Sequence, residues 1–307
     1  MTFSPFIVEV PATSANLGPG FDALGMAVHI VNTVRVEPSA SDSWEMEASG
    51  EGSHRLPTGE RNLMLRAIGT ACRRWEVTLP PLRLVCVNAI PLSRGLGSSA
   101  AAIVAGLKIA NQLNGNARQD DDLLELATEI EGHPDNVTPA LLGGVQASAT
   151  SEGRVIHVRV PVARAPSLAV FVPDFPLPTR EARRVLPKRL DIHDAVYNIG
   201  RACILVASLA SGNLDTLRTG TEDMLHQPYR MRLFPAMSVL FHAALRAGAC
   251  GVYLSGAGST IIAFVDGPPE AARDVAHAMR HAATRDGLRG RAFVSSIRDE
   301  GAAVRLI

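Results

Sequence analysis

The chain has 307 residues, of which 47% are hydrophobic, and this suits one large domain or two moderate ones with ample core. Its 30 basic and 30 acidic residues cancel, and no basic stripe is interleaved with aromatic residues, which argues against a nucleic-acid partner. No apolar run reaches about 18 residues and the N-terminus has no signal-type pattern, which argues against a membrane partner.

The cysteines indicate a reducing compartment. They lie far apart in the sequence, in apolar surroundings and without the spacing of a metal site: Cys72, Cys86, Cys203 and Cys250. Such cysteines are typical of buried thiols rather than of disulfides or metal ligands. We therefore predict a cytoplasmic protein.

The first predicted strand, residues 6–10, runs into a loop that is dense in small and turn-forming residues, 11–22. We take this loop to be too polar for the core. Asn16 and Asp22 offer an amide and a carboxylate to a ligand, whereas an ordinary Gly-Pro-Gly turn with local side-chain hydrogen bonds is the alternative. The elements predicted next are strands at 28–37 and 44–48 and a helix at 62–75.

A loop rich in glycine and serine, 91–99, lies between a predicted strand at 82–90 and a largely apolar predicted helix at 100–113. Gly95 and Gly97 have no Cβ, so an anion can approach the backbone closely. The unpaired N–H groups and the dipole of the helix start favour negative charge. The hydroxyls that follow in Ser98 and Ser99 can contact phosphate or Mg²⁺. The pattern predicts a phosphate-binding loop.

Two other interpretations of this loop stay open. It fits the dinucleotide-binding pattern G-x-G-x-x-A through Gly95, Gly97 and Ala100. That pattern needs the glycines directly after a first strand and an acidic residue at the end of the second strand, whereas here a long segment precedes the loop. The loop is not a Walker A motif, because no Gly-Lys-Ser/Thr follows. A structural turn without a ligand is the other interpretation.

The helix predicted at 119–131 opens on three aspartates, which suit its N-terminal dipole, and carries Glu125, Glu129 and Glu131 towards its end. A turn-rich loop follows at 132–139 and brings His133, Asp135 and Asn136 together. Two strands are predicted after it, at 143–150 and 155–160.

The composition shifts at Pro161, where prolines and arginines become frequent, and we place a domain boundary there, between 1–160 and 161–307. A short helix at 179–185 carries Arg180, Arg183 and Arg184, and a polar loop at 226–230 ends in Arg230. The other elements predicted in this half are strands at 168–172, 251–254 and 261–265, helices at 192–210, 213–217, 235–247 and 269–285, a further stretch at 291–297, and a last strand at 303–306. A second glycine-rich loop lies at 255–260.

These loops suit a Mg·ATP site, because phosphoryl transfer depends on positioning and on charge neutralisation. Mg²⁺ prefers one or two oxygen ligands from the protein, which Glu129 with Ser98 or Ser99 would supply. Arg183 and Arg230 suit a carboxylate or phosphate on the acceptor. Spacing alone thus predicts an α+β enzyme with a phosphate loop.

Four motifs are similar to those of the GHMP kinase superfamily, and within it to the homoserine kinase family, and the resemblance runs almost end to end. Residues 11–22 read PATSANLGPGFD and resemble the first motif. Residues 91–101 resemble the phosphate loop P-x-x-x-G-L-G-S-S-A, and 131–137, EGHPDNV, the region before Gly143-Gly144. Residues 254–260 resemble the third motif, usually L-S-G-S-G-P-T, with departures at Ala257 and Ser259.

The resemblance implies transfer of phosphate from ATP, with Mg²⁺, to the side-chain hydroxyl of L-homoserine, a step towards threonine, and it suggests a homodimer. It implies an α+β fold in two parts: an N-terminal domain with a left-handed β-α-β unit, like ribosomal protein S5, against the usual handedness, and a C-terminal ferredoxin-like domain. Another GHMP-type kinase with a mevalonate-like or sugar acceptor and a non-catalytic relative are the alternatives. The first motif, the arginines and the retained carboxylates argue against them.

The resemblance also implies roles for individual residues. The nucleotide would be bound by Asn62, at the adenine, and by Pro91, Ser93, Arg94, Gly95, Leu96, Gly97, Ser98, Ser99, Ala100 and Ala101. The amino-acid pocket would consist of Asn16, Asp22, His133, Asp135, Asn136, Thr179, Arg183, Arg230 and Gly256. Asp22 and Asp135 are the candidate catalytic groups, and Asp22 is expected at the acceptor hydroxyl. The metal ligands would be Ser98 or Ser99 with Glu129, and Glu131 is the second choice for the carboxylate.

Overall fold

The structure is a computed structural model that describes residues 3–57, 59 and 61–307. The first half contains β1 (Phe6–Asn16), β2 (Gly20–Pro38), β3 (Glu45–Gly50), α1 (Leu63–Trp75), β4 (Leu82–Asn88), α2 (Ser98–Leu113), α3 (Asp120–Glu131), α4 (Pro134–Leu142), β5 (Val145–Ser151) and β6 (Arg154–Val160). The second half contains β7 (Ser167–Pro173), α5 (Thr179–Arg184), α6 (Ile192–Ser211), α7 (Leu217–Gly220), α8 (Gln227–Arg230), α9 (Met237–Arg246), β8 (Gly251–Leu254), β9 (Ile261–Val265), α10 (Pro269–Arg285), β10 (Gly290–Ser295) and β11 (Ala303–Leu306). Short 3₁₀ helices lie at Ser53–Arg55 and Leu214–Thr216.

The first sheet has seven strands. Its main path is β11-β1-β2-β4-β3, and β5 pairs with β2 and with β6. The pairs are antiparallel except β3 with β4, which are parallel and are joined through α1. This β-α-β unit is the feature that the resemblance implied, and α2 packs beside α1 over the same core. The apolar face of α1, with Met64, Ala67, Ile68 and Ala71, is buried, and this fixes its orientation.

The second sheet has four antiparallel strands in the order β10-β7-β9-β8. Along the chain the elements follow as strand, helices, strand, strand, helix, strand, which is the ferredoxin-like arrangement. The buried faces of α9 and α10 form a core with the inner face of this sheet. The predicted two-part α+β fold is confirmed.

The segment 11–22 differs from the prediction. It is not a loop outside the core, because β1 continues to Asn16, β2 begins at Gly20, and residues 10–20 are all buried. The polar side chains here are satisfied by distant partners: Ser14 Oγ lies 3.0 Å from Tyr253 Oη and 2.8 Å from Ser255 Oγ. Small polar residues are buried readily when every hydrogen-bonding group has a partner.

Two predicted loops are helical. Residues 134–142 form α4, which begins with Pro134 and has Asp135 in its first turn, and both residues favour a helix N-terminus. Residues 227–230 form the single turn α8, with Pro228 at its start. Proline in a turn-rich stretch therefore marked the beginning of a helix in both places.

The domain boundary near residue 160 stays a prediction, but the last strand is an exception to it. Ala303–Leu306 pairs with β1 in the first sheet, where Val304 lies opposite Val8. The prediction of buried thiols holds for Cys86 alone, since Cys72 and Cys250 are half-buried and Cys203 is exposed on α6. No helix among residues 3–57, 59 and 61–307 is long and apolar enough to cross a membrane.

Candidate active site

A cleft of about 390 Å³ lies where the phosphate loop, the β1–β2 hairpin, the start of α4 and the second half of the chain meet. The first half contributes Asn16 and Asp22, and the second half contributes Thr179, Arg183 and Arg230. A cleft of this size is typical of a small-molecule site. The sequence had predicted that all five of these residues share one site.

The phosphate loop is held by backbone geometry at two glycines. Gly97 caps α2 with φ of +66°, and a Cβ there would lie 1.8 Å from Thr13 Oγ1. Gly95 has φ of +75°, and its Cβ would lie 2.1 Å from the Ser255 carbonyl oxygen. Positive φ and close contacts together exclude a side chain at either position. The backbone of the loop therefore packs closely against Thr13 and Ser255.

The start of α2 points at the cleft. Ala101 N–H is the first to bond back along the helix, to the Gly97 carbonyl, so the N–H groups of the preceding turn are available to a ligand. The glycine-rich loop at 255–260 braces this segment, because Ser255 Oγ donates to the Gly95 carbonyl at 2.6 Å and Thr260 N–H donates to the Arg94 carbonyl at 3.0 Å. The result is a rigid, positively polarised cradle for an anion.

Glu131, not Glu129, lies in the cleft. Ser99 Oγ donates to Glu131 Oε1 at 2.5 Å, and burial raises the pKa of Glu131, although the Ser99 hydrogen bond opposes the shift. Glu129 lies away from the cleft and pairs with Arg74 on the surface, with 59% of its side chain exposed. The expectation for Glu129 was wrong because two residues along a helix turn a side chain by about 200°.

A chain of polar side chains follows from Glu131 into α4. His133 Nδ1 lies 2.5 Å from Asp135 Oδ1, and Asp135 is 2% exposed. Burial acts to lower the pKa of His133, but the hydrogen bond and charge of Asp135, with Glu131, outweigh it and raise the pKa. Asn136 accepts a hydrogen bond from Thr13 Oγ1 at 2.8 Å, which ties α4 to the first strand. These residues form one connected wall of the cleft.

Asp22 and Arg183 face each other across the cleft. The guanidinium donates to both carboxylate oxygens, at 2.7 and 3.0 Å, and this hydrogen bonding raises the pKa of Arg183. Asp22 has φ of +56°, and Asn16 Oδ1 accepts from its backbone N–H. The ring of Phe21 lies 5.5 Å from the Cζ atoms of Arg183 and of Arg230. Phe21 therefore lies within cation–π distance of both arginines.

Arg230 is 2% exposed but lines the cleft. Its Nη1 donates to the Gly256 carbonyl at 2.7 Å and to His226 Nδ1 at 3.0 Å. Asn16 Nδ2 donates to the same carbonyl at 2.9 Å. Burial lowers the pKa of Arg230 to about 10, so it stays charged at neutral pH. The cleft therefore has a buried cation beside Asn16 and Gly256.

Three side chains of the cleft offer ligand atoms within 4.8 Å of one another, those of Asp22, His133 and Asp135. Asp22 is already bound to Arg183, and His133 is bound to Asp135. A cation beside Arg183 would be opposed by its charge. Ser99 with Glu131 is the better place for Mg²⁺, since both are oxygen ligands at the end of the phosphate loop.

Most of the predicted site residues line the cleft, and their roles stay predictions. Asn62 lines the cleft, and its side chain also caps α1 by accepting from Met64 and Leu65 N–H. The predicted residues that line the cleft are Asn16, Asp22, Asn62, Ser93, Arg94, Gly95, Leu96, Gly97, Ser98, Ser99, Ala101, His133, Asp135, Asn136, Thr179, Arg183, Arg230 and Gly256. Pro91, Ala100 and Glu129 do not line it. Pro91 and Ala100 are buried behind the loop.

Sequence reasoning missed three residues that contact the side chains of this site from behind the cleft lining. Thr13 and Phe21 lie within the first motif, but their partners, Asn136 and the two arginines, are far along the chain. His226 lies four residues before Arg230, and that spacing places both side chains on one face of a helical turn. Spacing could have indicated His226 if residues 226–230 had been taken as helical.

Comparisons with known proteins show which family the chain resembles. The family model described as GHMP kinases N terminal domain matches residues 62–144, and the one described as GHMP kinases C terminal matches residues 205–283. The homoserine kinase of Moorella thermoacetica is 45% identical over 85% of this chain and 88% of its own length. The homoserine kinase of Desulfitobacterium hafniense is 42% identical over 97% of this chain and 99% of its own.

A solved structure supports the same assignment. The crystal structure of homoserine kinase from Cytophaga hutchinsonii superposes with a TM-score of 0.89 at 30% identity, covering 99% of this chain and 98% of the other. The similarity to the two curated relatives, at well over 30% identity and across most of each chain, is what decides the family. The chain belongs to the homoserine kinase family of the GHMP kinases.

Proposed function

We propose that this protein is a homoserine kinase, which transfers the terminal phosphoryl group of ATP to the side-chain hydroxyl of L-homoserine and gives O-phospho-L-homoserine. The observation that carries the proposal is that one cleft joins an anion cradle at the start of α2 to a pocket with two arginines and two carboxylates. The cradle suits a triphosphate, and the pocket suits an amino acid that carries a hydroxyl. The similarity to relatives named homoserine kinase supports it.

The nucleotide end binds through the backbone. Residues 95–99 and the N-terminus of α2 would hold the phosphates, because unpaired N–H groups and the helix dipole favour their charge. Asn62 would contact the adenine. Its Oδ1 already caps α1, and its Nδ2 donates to the Pro57 carbonyl. These two hydrogen bonds hold the side chain in one position, which would fix the position of the base.

Ser99 and Glu131 would hold Mg²⁺. Their oxygens are hard ligands 2.5 Å apart at the end of the phosphate loop, and Mg²⁺ binds with few protein oxygens and completes its shell from phosphate and water. The bound ion would supply neutralisation of charge on the phosphates. Ser98 remains a second hydroxyl at the same place.

The acceptor end binds through charged side chains. Arg230 and Arg183 would hold the carboxylate of homoserine, because a guanidinium forms strong charge-assisted hydrogen bonds to a carboxylate. Asp135 and Asn136 would take its ammonium group, with His133 and Thr179 at the rim of the same pocket. The Gly256 carbonyl fixes both Asn16 and Arg230 and so sets the shape of this end.

Asp22 would orient the acceptor hydroxyl. Each of its carboxylate oxygens accepts one hydrogen bond from Arg183 and has a lone pair left for the substrate. A loose transition state gains little from early deprotonation, so orientation is its main contribution. Asp135, with a carboxylate oxygen within 4.8 Å of one of Asp22, is the second candidate catalytic group and is held in place by His133.

Two further features belong to the proposal. Free cysteines at Cys72, Cys86, Cys203 and Cys250 support a cytoplasmic location, since a reducing compartment keeps thiols free. The homodimer is supported by exposed apolar side chains at helical spacing along α6, namely Ile192, Val196 and Ile199. Light scattering on the purified protein measures that state directly.

A coupled assay of ADP release tests the function. The protein is mixed with ATP and Mg²⁺ and with L-homoserine, mevalonate, galactose or no acceptor, and phosphorus NMR identifies the product. We expect release with L-homoserine far above the other three and a new phosphomonoester signal. Release with mevalonate or galactose but not with L-homoserine would overturn the proposal.

A further inference from the structure

We infer that His226 is a positioning residue, which holds Arg230 through Nη1 and thereby aims the other arm of that guanidinium at the substrate carboxylate. The inference rests on the proposed function and adds a residue to it. His226 is fully buried and does not line the cleft; of its contacts, Arg230 lines the cleft, and the Phe21 ring lies 5.4 Å from the imidazole.

The hydrogen bonds define the state of the imidazole. Arg230 Nη1 is a donor in every state, so His226 Nδ1 must accept from it, at 3.0 Å. The other ring nitrogen, Nε2, lies 2.7 Å from the Gly18 carbonyl oxygen, which can only accept, so Nε2 carries the proton. The ring is therefore neutral and in a single tautomer. Burial lowers the pKa of His226 far below its usual value, which agrees with this assignment.

The backbone around His226 is fixed by a buried carboxylate. Asp223 Oδ2 accepts from the N–H groups of His226, at 2.9 Å, and of Gln227, at 2.6 Å, and its Oδ1 accepts from Leu225 N–H and Asn198 Nδ2. Four donors on one carboxylate leave α8 no freedom to rotate. The position of the imidazole is thus set by elements outside the cleft.

The consequence is the orientation of Arg230. Nη1 is shared between His226 Nδ1 and the Gly256 carbonyl, and Nε lies 3.4 Å from the Ala182 carbonyl. None of the hydrogen bonds between described residues uses Nη2, although the residue lines the cleft. A guanidinium is planar, so fixing Nη1 and Nε fixes the direction of Nη2. The substrate carboxylate then meets a donor that is already aligned, with no rotamer left to order.

Two variants with opposite losses test the inference. In His226→Asn the side-chain oxygen takes the place of Nδ1 and keeps an acceptor for Arg230. In His226→Gln the amide nitrogen takes the place of Nε2 and keeps the donor to Gly18, while the acceptor for Arg230 is lost. Both variants remove the imidazole, so a difference between them reports the hydrogen bond to Arg230 and not the loss of the ring.

The measurement is steady-state kinetics with L-homoserine and with ATP, together with the thermal midpoint of each variant. We expect His226→Gln to raise the KM for L-homoserine about tenfold, the scale of one hydrogen bond to a charged group, with the KM for ATP unchanged. His226→Asn should stay close to the wild type in KM. A purely structural role would instead lower the thermal midpoint of both variants and change both KM values together.

Two outcomes overturn the inference. One is an unchanged KM for L-homoserine in a folded His226→Gln variant. The other is an equal rise of that KM in both variants when both are folded. If the wild type does not phosphorylate L-homoserine at all, the proposed function fails first, and this result is distinct from either outcome.

Discussion

The phosphate loop and the pair of arginines lie in one cleft, but they are built by different means. The loop depends on backbone geometry: Gly95 and Gly97 have positive φ, and their missing Cβ atoms leave room for Ser255 and Thr13. The acceptor end depends on charged side chains, with Arg183 bound to Asp22 and Arg230 bound to His226. Backbone N–H groups are present in any sequence, whereas charged side chains at fixed positions determine which acceptor binds. We therefore expect that separate substitutions can change the affinity for the nucleotide and the choice of acceptor.

The largest effect is expected at the acceptor end. Asp22→Ala should lower kcat about 100-fold or more, because the group that orients the hydroxyl is lost, while the KM for ATP changes little. Asp22→Asn keeps the shape and removes the charge, and it separates orientation by hydrogen bonding from the effect of charge. Steady-state kinetics with both substrates is the measurement. Unchanged turnover in Asp22→Ala would remove this residue from the mechanism.

The nucleotide end is tested by Gly97→Ala. Its Cβ would lie 1.8 Å from Thr13 Oγ1, so the loop must shift, and a shift of about 1 Å can cost roughly 100-fold in rate. Gly115→Ala is the matched control, since Gly115 also has positive φ, of +68°, but no atom lies within 4 Å of its Cβ. The KM for ATP is measured in both variants. Equal effects in both would mean that positive φ, and not the contact with Thr13, matters.

Arg183→Ala tests whether the acceptor end can be changed without loss of nucleotide binding. We expect the KM for L-homoserine to rise about tenfold or more, the scale of a charged hydrogen-bonded contact, with ATP binding retained. Arg189→Ala, an exposed arginine outside the cleft, is the control for loss of one positive charge. Direct titration with a non-hydrolysable ATP analogue checks the retained affinity. Loss of nucleotide binding in Arg183→Ala would contradict the separation of the two ends.

Glu131→Gln and Glu129→Gln form a matched pair on one helix. Glu131 bonds to Ser99 in the cleft, whereas Glu129 pairs with Arg74 on the surface. We expect Glu131→Gln to raise the Mg²⁺ concentration needed for half-maximal activity about tenfold, because a charged oxygen ligand is lost. Glu129→Gln should behave as the wild type. A Mg²⁺ titration of activity decides between them, and the reverse result would restore Glu129 as the ligand.

The smallest effect concerns pH. The pKa of His226 is lowered in the folded protein, so as pH falls the unfolded chain binds a proton at this residue before the folded chain does. Folding stability is therefore lost as pH falls below the ordinary histidine pKa of about 6.5. The charged groups around it are Asp223, Arg230 and Asp22. Between pH 7 and pH 5 the wild type should lose on the order of 1–3 kcal/mol more than His226→Asn in urea unfolding. An equal loss of unfolding free energy in the wild type and in His226→Asn would contradict this prediction.

The sequence predicted the geometry of the phosphate loop because its signals are local. The glycines, the serines and the helix start of the phosphate loop are neighbours in the chain, and Asn62 was placed next to a helix start that it caps. The burial of residues 10–20 was missed, because it depends on partners that are distant in sequence: Thr13 bonds to a residue 123 positions away, and Ser14 to one 241 positions away.

The choice between Glu129 and Glu131 was missed for a different reason. Both carboxylates lie at the end of α3, and only the rotation of that helix against α2 decides which one faces Ser99. A helix pattern gives the buried face to within a residue or two, which is the interval between the two glutamates. His226 was missed because a single helical turn has too few residues to show a period.

The contact between the glycine-rich loop at 255–260 and the phosphate loop constrains how relatives with other acceptors can arise. Ser255 and Thr260, from the second half, bond to the carbonyls of Gly95 and Arg94 in the first half. A chimaera that exchanged the whole second half between two such kinases would also exchange the support beneath the triphosphate. New acceptor preference is therefore gained more safely by side-chain replacement around α5 and α8 than by recombination across residue 160.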